Sequence, residues 1–209
     1  MSKVHVYSHP LISDKLTRMR KADTTSQDFR MLLKEISLLM GYEITRDFAT
    51  TTTHVKTPIC EGEFPKLAQE FVTLVPILRA GIGMVDGLLE LMPRAHVGHI
   101  GLYRDESTHQ PIEYYYKMPD NVEDSLIIVL DPMLATGGSA IDAIASLKAH
   151  GCTDIRLMNL VAAPEGIEAM QKAHDDVDIY VAAVDEGLNE DAYIVPGLGD
   201  AGDRIFGTK

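Results

Sequence analysis

The 209-residue sequence predicts an α/β fold in which a mostly parallel central sheet is flanked by helices. From Phe71 onward, short apolar runs alternate with segments of helical periodicity, which is typical of strand–helix–strand units. The apolar runs are continuous, as in strands that are buried on both faces. Glycine-rich or charged loops follow several of these runs. Ligands of such sheets bind outside the carboxyl ends of the strands, so these loops are the candidate functional segments.

The region before Phe71 is predicted to contain two helices and one strand. Ser13 and Asp14 are the expected N-terminal cap of a first short helix, and Ser26 is the expected cap of a second. Apolar residues recur at helical spacing in the second helix, and Gly41 is its expected end. The threonine-rich residues 50–58 favour an exposed strand, because β-branched side chains suit extended backbone.

The alternating region gives the order of the core elements. Strands are predicted in the segments FVTLVPI, AHVGHIGLY, SLIIVL, DIRLMNLVAA and VDIYVAAV. Helices are predicted in MVDGLLELM, in residues 140–150 with Gly151 as the stop, and in PEGIEAMQKA.

The chain is expected to form a single domain over residues 1–209, because no linker rich in Ser, Gly or Pro divides it. N-terminal helices are expected in residues 1–41 and the core in about 70–184. Residues from about 185 to 209 are expected to form a hood over the carboxyl edge of the sheet. This tail is apolar enough to be ordered, because it contains Ile194, Val195, Leu198, Ile205 and Phe206.

The composition argues against several classes of partner. A formal net charge of −12 disfavours a broad nucleic-acid footprint and an anionic membrane surface, both of which need clustered Lys and Arg. The two cysteines have no metal-ligand spacing and predict no disulfide framework. We find no apolar signal core at the N-terminus and no run long enough to span a bilayer, so we expect a cytoplasmic protein.

The loop in residues 131–139, with the sequence DPMLATGGS, is the strongest candidate site. Gly137 and Gly138 precede a predicted helix, so their N–H groups and the partial positive charge of the helix N-terminus would favour a phosphate. Thr136 and Ser139 add hydroxyl donors. Asp131 ends the most apolar strand and would accept hydrogen bonds from ribose hydroxyls, although capping of the following turn is the alternative. The loop is not a P-loop, because no Lys follows the glycines.

The segment PILRAGIG is a second candidate site that follows a strand. Arg79 would reach a phosphate, and the backbone of Ala80 and Gly81 would approach it closely. Taken alone, a surface arginine on a turn is the more common explanation.

A third candidate is the charged loop and tyrosine-rich segment in residues 103–117. Its functional interpretation is a lid that carries Arg104, and its structural interpretation is a solvated hairpin. The tail is the fourth candidate, with Gly197, Gly199 and Gly202 around Asp200 and Asp203.

Taken together, these segments resemble those of type I phosphoribosyltransferases. VLDPMLATGGS is similar to their signature for phosphoribosyl diphosphate (PRPP), and PILRAG to their pyrophosphate loop. The C-terminal PGLGDAGDRIFGTK, with VAAPEGI upstream, resembles the uracil-specific members of this family. The resemblance covers essentially the whole chain and implies a type I phosphoribosyltransferase-like fold.

The resemblance also implies a reaction and a set of site residues. The reaction converts uracil and PRPP to UMP and diphosphate with Mg²⁺ as cofactor. Arg79 and Arg104 would bind the diphosphate, and Asp200 would face PRPP and its Mg²⁺, in part through water. The uracil would meet Ile194, Gly199, Asp200 and Ala201, largely through backbone. The ribose and the 5′-phosphate would be bound by Asp131, Pro132, Met133, Leu134, Ala135, Thr136, Gly137, Gly138 and Ser139.

One position departs from the wider family. Many members have two successive carboxylates where this chain has Asp131 and Pro132, and a proline cannot accept ribose hydroxyls. The uracil-specific members resemble this chain here, so the departure favours the narrower resemblance. That resemblance also permits a homo-oligomer and activation by GTP.

Three alternatives stay open on the sequence alone. The first is a regulator of the same fold that binds pyrimidine nucleotides and RNA, which the net charge disfavours. The second is a nucleotide-binding module without turnover. The third is the same type of enzyme acting on another base.

Overall fold

The computed structural model describes residues 2–104, 111–120 and 122–208, with the backbone alone for 102–104 and 111–112. Within these ranges the α-helices are α1 (Pro10–Arg20), α2 (Ser26–Ile44), α3 (Ile82–Leu91), α4 (Gly138–Ala149), α5 (Pro164–Ala173) and α6 (Ala201–Phe206). The strands are β1 (Val4–Val6), β2 (Thr50–Lys56), β3 (Glu61–Leu67), β4 (Val72–Pro76), β5 (His96–Val97), β6 (His99–Arg104), β7 (Pro111–Lys117), β8 (Leu126–Leu130), β9 (Met133–Leu134), β10 (Ile155–Ala162), β11 (Asp178–Val184), β12 (Gly187–Leu188) and β13 (Ile194–Val195).

The main sheet confirms the predicted parallel architecture. Its strand order is β1-β11-β10-β8-β4-β5, with β9 beside β10, and these pairings are parallel. From β4 the chain proceeds to β5 on one side and then returns to β8 on the other side of β4. Such a reversal opens a crevice at the carboxyl ends of the two strands, where ligands of α/β sheets bind. The fold therefore places the loops after β4 and β8 side by side.

Strand β8 explains why the sheet has a core on each face. Every residue of its sequence LIIVL is buried. Ile128 and Leu130 join the apolar cluster beneath α1, α2, α3 and α6, whereas Ile127 and Val129 join the cluster beneath α4 and α5. Side chains alternate between the faces of a strand, so a strand covered on both sides must be apolar throughout.

Two predicted helix caps are wrong by a few residues. Helix α1 is capped by His9, whose Nδ1 accepts a hydrogen bond from Leu11 N at 3.2 Å, and not by Ser13 and Asp14. Pro10 takes the first helical position, where the fixed φ of proline fits and its missing N–H costs nothing. Thr25 caps α2 and Ser26 is its first helical residue.

Gly41 does not end the second helix, as the sequence had predicted. Helix α2 continues to Ile44 and packs along α3. A Cβ atom on Gly41 would lie 2.5 Å from Leu88 Cδ2, and one on Gly87 would lie 2.2 Å from Lys34 O. These glycines therefore let the two helices approach closely, and only the tertiary packing shows this.

Within the described residues, three antiparallel strand pairs lie outside the main sheet, and one of them is β12 with β13. Strands β2 and β3 form an exposed antiparallel pair, which confirms the exposed strand predicted from the threonines. The single strand predicted in AHVGHIGLY is wrong, because Gly98 divides it. Strand β5 stays in the main sheet, whereas β6 pairs with β7 as a separate hairpin. In the part of the chain described here, no helix combines the length and apolarity needed to cross a bilayer.

Candidate active site

The carboxyl edge of the sheet carries a cleft of about 220 Å³ beside the crevice between β4 and β8. The cleft brings together three segments that are far apart in the sequence: the loop after β4, the loop after β8, and the start of α6. Its lining consists of Arg79, Ala80, Asp131, Met133, Asp200, Ala201 and Gly202.

Asp131 lies at the floor of this cleft, directly after β8. Its Oδ1 accepts a hydrogen bond from Met133 N at 3.2 Å, which fixes the carboxylate against the start of the loop. Burial raises the pKa of Asp131 to about 7, and the Met133 N–H opposes this shift. A carboxylate in this state needs further donors to hold its charge, and ribose hydroxyls are donors of that kind.

The rest of the loop leads into the N-terminus of α4. Gly137 caps the helix with φ of +82° and supplies no side-chain cap. The first helical hydrogen bond runs from Ile141 N to Gly137 O, so the N–H groups of Gly138, Ser139 and Ala140 lie ahead of the helical ladder. A helix end of this kind favours an anion.

The other residues of the loop 131–139 differ in exposure. Thr136 and Ser139 are exposed, as donors to a ligand must be. Pro132 and Leu134 are buried, and Ala135 is half-buried, so they support the loop from below. All residues of this loop were predicted to bind PRPP, and in this structure only Asp131 and Met133 of them line the cleft.

Arg79 reaches the cleft from the loop after β4. Its side chain is 61% exposed, and its Nη2 lies 3.6 Å from Asp203 Oδ1 on α6. The guanidinium also lies over the ring of Phe206, 5.9 Å from the centroid. The Leu78–Arg79 peptide bond is cis. Arg79 is thus a cation beside the hood with an exposed face toward the cleft.

Gly81 has a packing role in the loop after β4. Its N–H donates to Ile77 O at 2.9 Å, and a Cβ atom would lie 2.3 Å from Leu130 O. This glycine packs the loop onto the end of β8, and its N–H is already used within the loop. Ala80 lines the cleft, and the approach of its backbone to a phosphate stays a prediction.

The hood, defined here as residues 185–208, brings Asp200 and Ala201 to the cleft. Asp200 caps α6, with Oδ1 accepting from Asp203 N at 2.8 Å. Gly199 is exposed and has φ of +79°, a conformation that favours glycine. Ile194 is only 3% exposed and packs in the core beneath the hood, so its side chain supports the site and does not line the cleft.

Arg104 ends β6, and its backbone pairs with Pro111 of β7. Its side chain, and residues 105–110 of the predicted lid, lie outside the described residues.

Sequence reasoning missed the residues that hold the hood in place. Arg20 on α1 donates from both terminal nitrogens to Asp185, at 2.7 Å each, and from Nη1 to Gly197 O at 2.6 Å. Gly197 N donates back to Asp185 Oδ2 at 2.9 Å. Arg204 donates to Leu198 O at 2.8 Å. Arg20 and Asp185 are 165 positions apart, so no local pattern in the sequence could have paired them.

Comparison with known proteins identifies the family. Residues 6–208 match the family model described as uracil phosphoribosyltransferase. The chain is 61% identical to the uracil phosphoribosyltransferase of Clostridium beijerinckii and 58% identical to that of Macrococcus caseolyticus. Both alignments span 209 residues and cover 100% of each chain.

The chain belongs to the uracil phosphoribosyltransferase family. The match includes every segment that lines the cleft. The alternative of an RNA-binding regulator gains no support from the names of these relatives.

Solved structures agree with the fold. A protein from Aquifex aeolicus, 37% identical, superposes with a TM-score of 0.89 over 97% of each chain. A hypoxanthine phosphoribosyltransferase from Staphylococcus aureus, 12% identical, superposes with a TM-score of 0.51 over 82% of this chain and 81% of its own. The second likeness shows the type I phosphoribosyltransferase fold alone.

Proposed function

We propose that this protein transfers the 5-phosphoribosyl group of PRPP to N1 of uracil, forming UMP and diphosphate. The cleft carries this proposal, because it gathers Arg79, Asp131 and Asp200 around one space in a chain of this family. A carboxylate can bind the hydroxyls of a ribose, and a cation can bind a diphosphate. The backbone N–H and C=O groups of the hood can bind a small base.

Each part of PRPP has a matching segment in the cleft or in the loop that leads from it into α4. The N-terminus of α4, with Thr136, Gly138 and Ser139, suits the 5′-phosphate. Asp131 suits the ribose hydroxyls. Arg79 lies on the hood side of Asp131, where it would bind the diphosphate, and we propose that Arg104 adds a second cation from β6.

The lining residues fit Mg²⁺ that arrives bound to PRPP. Asp131 and Asp200 bring carboxylates to the cleft. Among the described residues, no cluster of three or more His, Cys, Asp or Glu side chains is arranged to hold a metal. This pattern suits Mg²⁺, which keeps waters and binds one or two carboxylates together with substrate phosphates. We assign Asp200, in part through water, to this ion, which would help to neutralise the diphosphate.

The chemistry requires orientation and charge stabilisation more than covalent participation. As the C1′–O bond of PRPP breaks, negative charge grows on the departing diphosphate and the ribose becomes oxocarbenium-like. Arg79 would stabilise the first charge, and the Asp131 carboxylate would hold the ribose through its hydroxyls. Uracil N1 attacks C1′ from the face opposite the leaving group. The hood would hold the base there and exclude water.

The uracil site in this proposal is the backbone of the hood around Gly199, Asp200 and Ala201, supported from below by Ile194. Family resemblance supports three further proposals: assembly as a homo-oligomer, activation by GTP, and a cytoplasmic location. Sedimentation of the purified chain and rates measured with and without GTP test the first two.

The proposed function is tested by incubating the protein with PRPP, uracil and Mg²⁺. We expect diphosphate release to depend on all three, and the product to have the mass of UMP. Binding of PRPP without any release of diphosphate on addition of uracil would instead favour a nucleotide-binding module without turnover.

Replacing Gly138 with valine is expected to weaken PRPP binding selectively. Gly138 is the first residue of α4, where a valine keeps the helix but places a branched side chain over the N–H groups that face the phosphate. Loss of one charge-assisted hydrogen bond costs about 1.5–3 kcal/mol, so KM for PRPP should rise by roughly ten- to a hundredfold. KM for uracil should change far less.

Steady-state kinetics with each substrate varied in turn provide the measurement. Gly62→Val is the matched control, because Gly62 lies in the exposed strand β3 and away from the cleft. An unchanged KM for PRPP in folded Gly138→Val protein would remove this loop from the site.

The raised pKa of Asp131 predicts a pH dependence of PRPP binding. Ribose hydroxyls favour the charged carboxylate, so binding should lower its pKa from about 7 and release a proton. Affinity for PRPP should then increase as the pH rises through 7 and become constant above it. Calorimetric titrations from pH 6.5 to 8.5 test this, and Asp131→Asn should lose the increase.

The same pKa shift makes an opposite prediction for the free protein. The folded state binds the Asp131 proton more tightly than the unfolded state, whose pKa is about 3.9. Stability should therefore be lost as the pH rises from about 4 through 7. Asp131→Asn should accordingly have a higher Tm than wild type at pH 8. A lower Tm at pH 8 would contradict the buried, proton-binding carboxyl.

A further inference from the structure

Asn159 is an anomaly in the central strand β10. The strand reads IRLMNLVA, and Asn159 is 0% exposed between apolar Met158 and Leu160. Polar side chains that are fully buried in a parallel strand need a hydrogen-bond partner to offset their desolvation. The partner of Asn159 is the backbone of the cleft: its Nδ2 donates to Asp131 O at 2.7 Å.

The need for this bond arises where β8 ends. Asp131 N still donates to Met158 O at 3.1 Å, as in a regular ladder. Pro132 follows and has no N–H, and its carbonyl accepts from both Leu160 N at 3.0 Å and Val161 N at 3.1 Å. The backbone N–H groups of β10 that would continue the ladder therefore donate to Pro132, one residue beyond Asp131. The Asn159 side chain supplies the donor for the carbonyl of Asp131.

The second polar atom of the side chain shows that filling space is a poor explanation for an asparagine here. Among the described residues, Asn159 Oδ1 has no hydrogen-bond partner. A leucine would remove the unpaired Oδ1 and would suit the apolar strand, but it would leave the Asp131 carbonyl without its donor. The hydrogen bond from Nδ2 to Asp131 is the feature that only the amide provides.

We propose that Asn159 is a positioning residue for PRPP, which holds the Asp131–Pro132 peptide so that the Asp131 carboxylate faces the cleft. The inference rests on the proposed function, because it takes Asp131 as the group that binds ribose. Asn159 itself is 0% exposed and does not touch the ligand.

The geometry explains why this contact affects binding. Three contacts fix Asp131: its N–H donates to Met158 O, Asn159 holds its carbonyl, and Met133 N holds its Oδ1. Removal of the Asn159 contact frees the peptide at the kink, where the proline has already interrupted the ladder. A displacement of about 1 Å in a substrate-binding group can cost as much as a hundredfold in rate.

Asn159→Leu provides the decisive test, because structural and positioning roles predict different results. The variant removes both the donor and the unpaired oxygen while it keeps the number of side-chain heavy atoms. Whatever the change in Tm, we expect its Kd for PRPP to rise by about tenfold or more and its KM for uracil to stay within about twofold. Calorimetry with Mg-PRPP in the absence of uracil measures the Kd.

Leu157→Ala is the matched control. Leu157 is fully buried two residues earlier on the same strand and lies opposite Val129 in register, before Asp131. This variant should lower the Tm and leave the Kd for PRPP unchanged. Asn159→Ala, which also removes the donor but adds no bulk, should weaken PRPP binding as the leucine variant does.

Wild-type Kd for PRPP in folded Asn159→Leu or Asn159→Ala would overturn the assignment. So would an equal weakening in Leu157→Ala, because the effect would then be one of general packing. Failure of the proposed function is distinguishable, since wild-type protein would then bind PRPP without converting uracil. The Kd comparison among the variants does not depend on turnover.

Discussion

Arg79→Ala should lower kcat/KM by roughly a hundredfold, the effect seen when one preorganised group that stabilises transition-state charge is removed. The guanidinium is the cation that the cleft offers from the loop after β4. In the free protein it is paired with Asp203 at 3.6 Å, and both side chains are substantially exposed. Exposed pairs of this kind are weak, so a diphosphate with several charges would displace the carboxylate at little cost.

Arg79→Lys should restore only part of this loss. Lysine keeps the charge, but a compact ammonium lacks the planar fork that binds two phosphate oxygens at once. Because the missing stabilisation belongs to the leaving group, kcat should fall in both variants along with any increase in KM for PRPP.

Arg94→Ala is a suitable control for removal of a positive charge. Arg94 is exposed just beyond the C-terminal end of α3, and this helix runs away from the carboxyl edge of the sheet. Its kinetics should match wild type. Near-normal kcat/KM in Arg79→Ala would mean that the leaving group is stabilised elsewhere. The same substitution at Arg104 tests the lid, because normal kinetics there would exclude contact between that side chain and the diphosphate.

The order of the core elements was predictable from the sequence because it depends on local chemistry. Buried parallel strands must be apolar on both faces, and LIIVL is recognisable for that reason. The candidate site was predictable because such sheets bind ligands at the ends of strands, where Arg79 and Asp131 follow apolar runs. Both residues line the cleft as predicted.

What the sequence did not reveal depends on contacts between distant segments. A glycine is the usual sequence signal for the end of a helix, so Gly41 was expected to end α2. Only its close approach to Leu88 shows that this glycine serves helix packing instead. The anchors of the hood join Arg20 to Asp185, and the support of Asp131 comes from Asn159. Such pairs have no fixed spacing, so residue patterns along one segment cannot indicate them.

A preference for uracil over cytosine of roughly 10⁴-fold in kcat/KM is the second large effect that we expect. Uracil presents acceptors at O2 and O4 and a donor at N3. Cytosine has an amino donor at position 4 and an acceptor at N3. In the hood, Asp200 is the polar side chain at the cleft beside buried Ala201, so backbone N–H and C=O groups would read the base. A backbone donor that faces the cytosine amino group is left unpaired, at a cost of about 1–3 kcal/mol for each group.

This discrimination requires a backbone that cannot adjust to the wrong base, and the hood has that property. Arg20 and Asp185 fix both polar groups of Gly197, and Arg204 fixes the carbonyl of Leu198. A Cβ atom on Gly197 would lie 2.0 Å from Ile194 O, so the turn is packed as tightly as glycine permits. 5-Fluorouracil should be accepted, because its groups at positions 2, 3 and 4 match those of uracil.

Gly199→Val tests the position of the base-reading backbone. The residue has φ of +79°, which a β-branched side chain rarely adopts, so the variant should distort the hood beside Asp200. Use of uracil should fall sharply while the Kd for PRPP stays nearly unchanged. Gly151→Val carries the same conformational strain, with φ of +90°, beyond the C-terminal end of α4, and should leave KM for uracil unaltered. Comparable kcat/KM for cytosine and uracil in the wild-type protein would refute recognition of the base by the hood backbone.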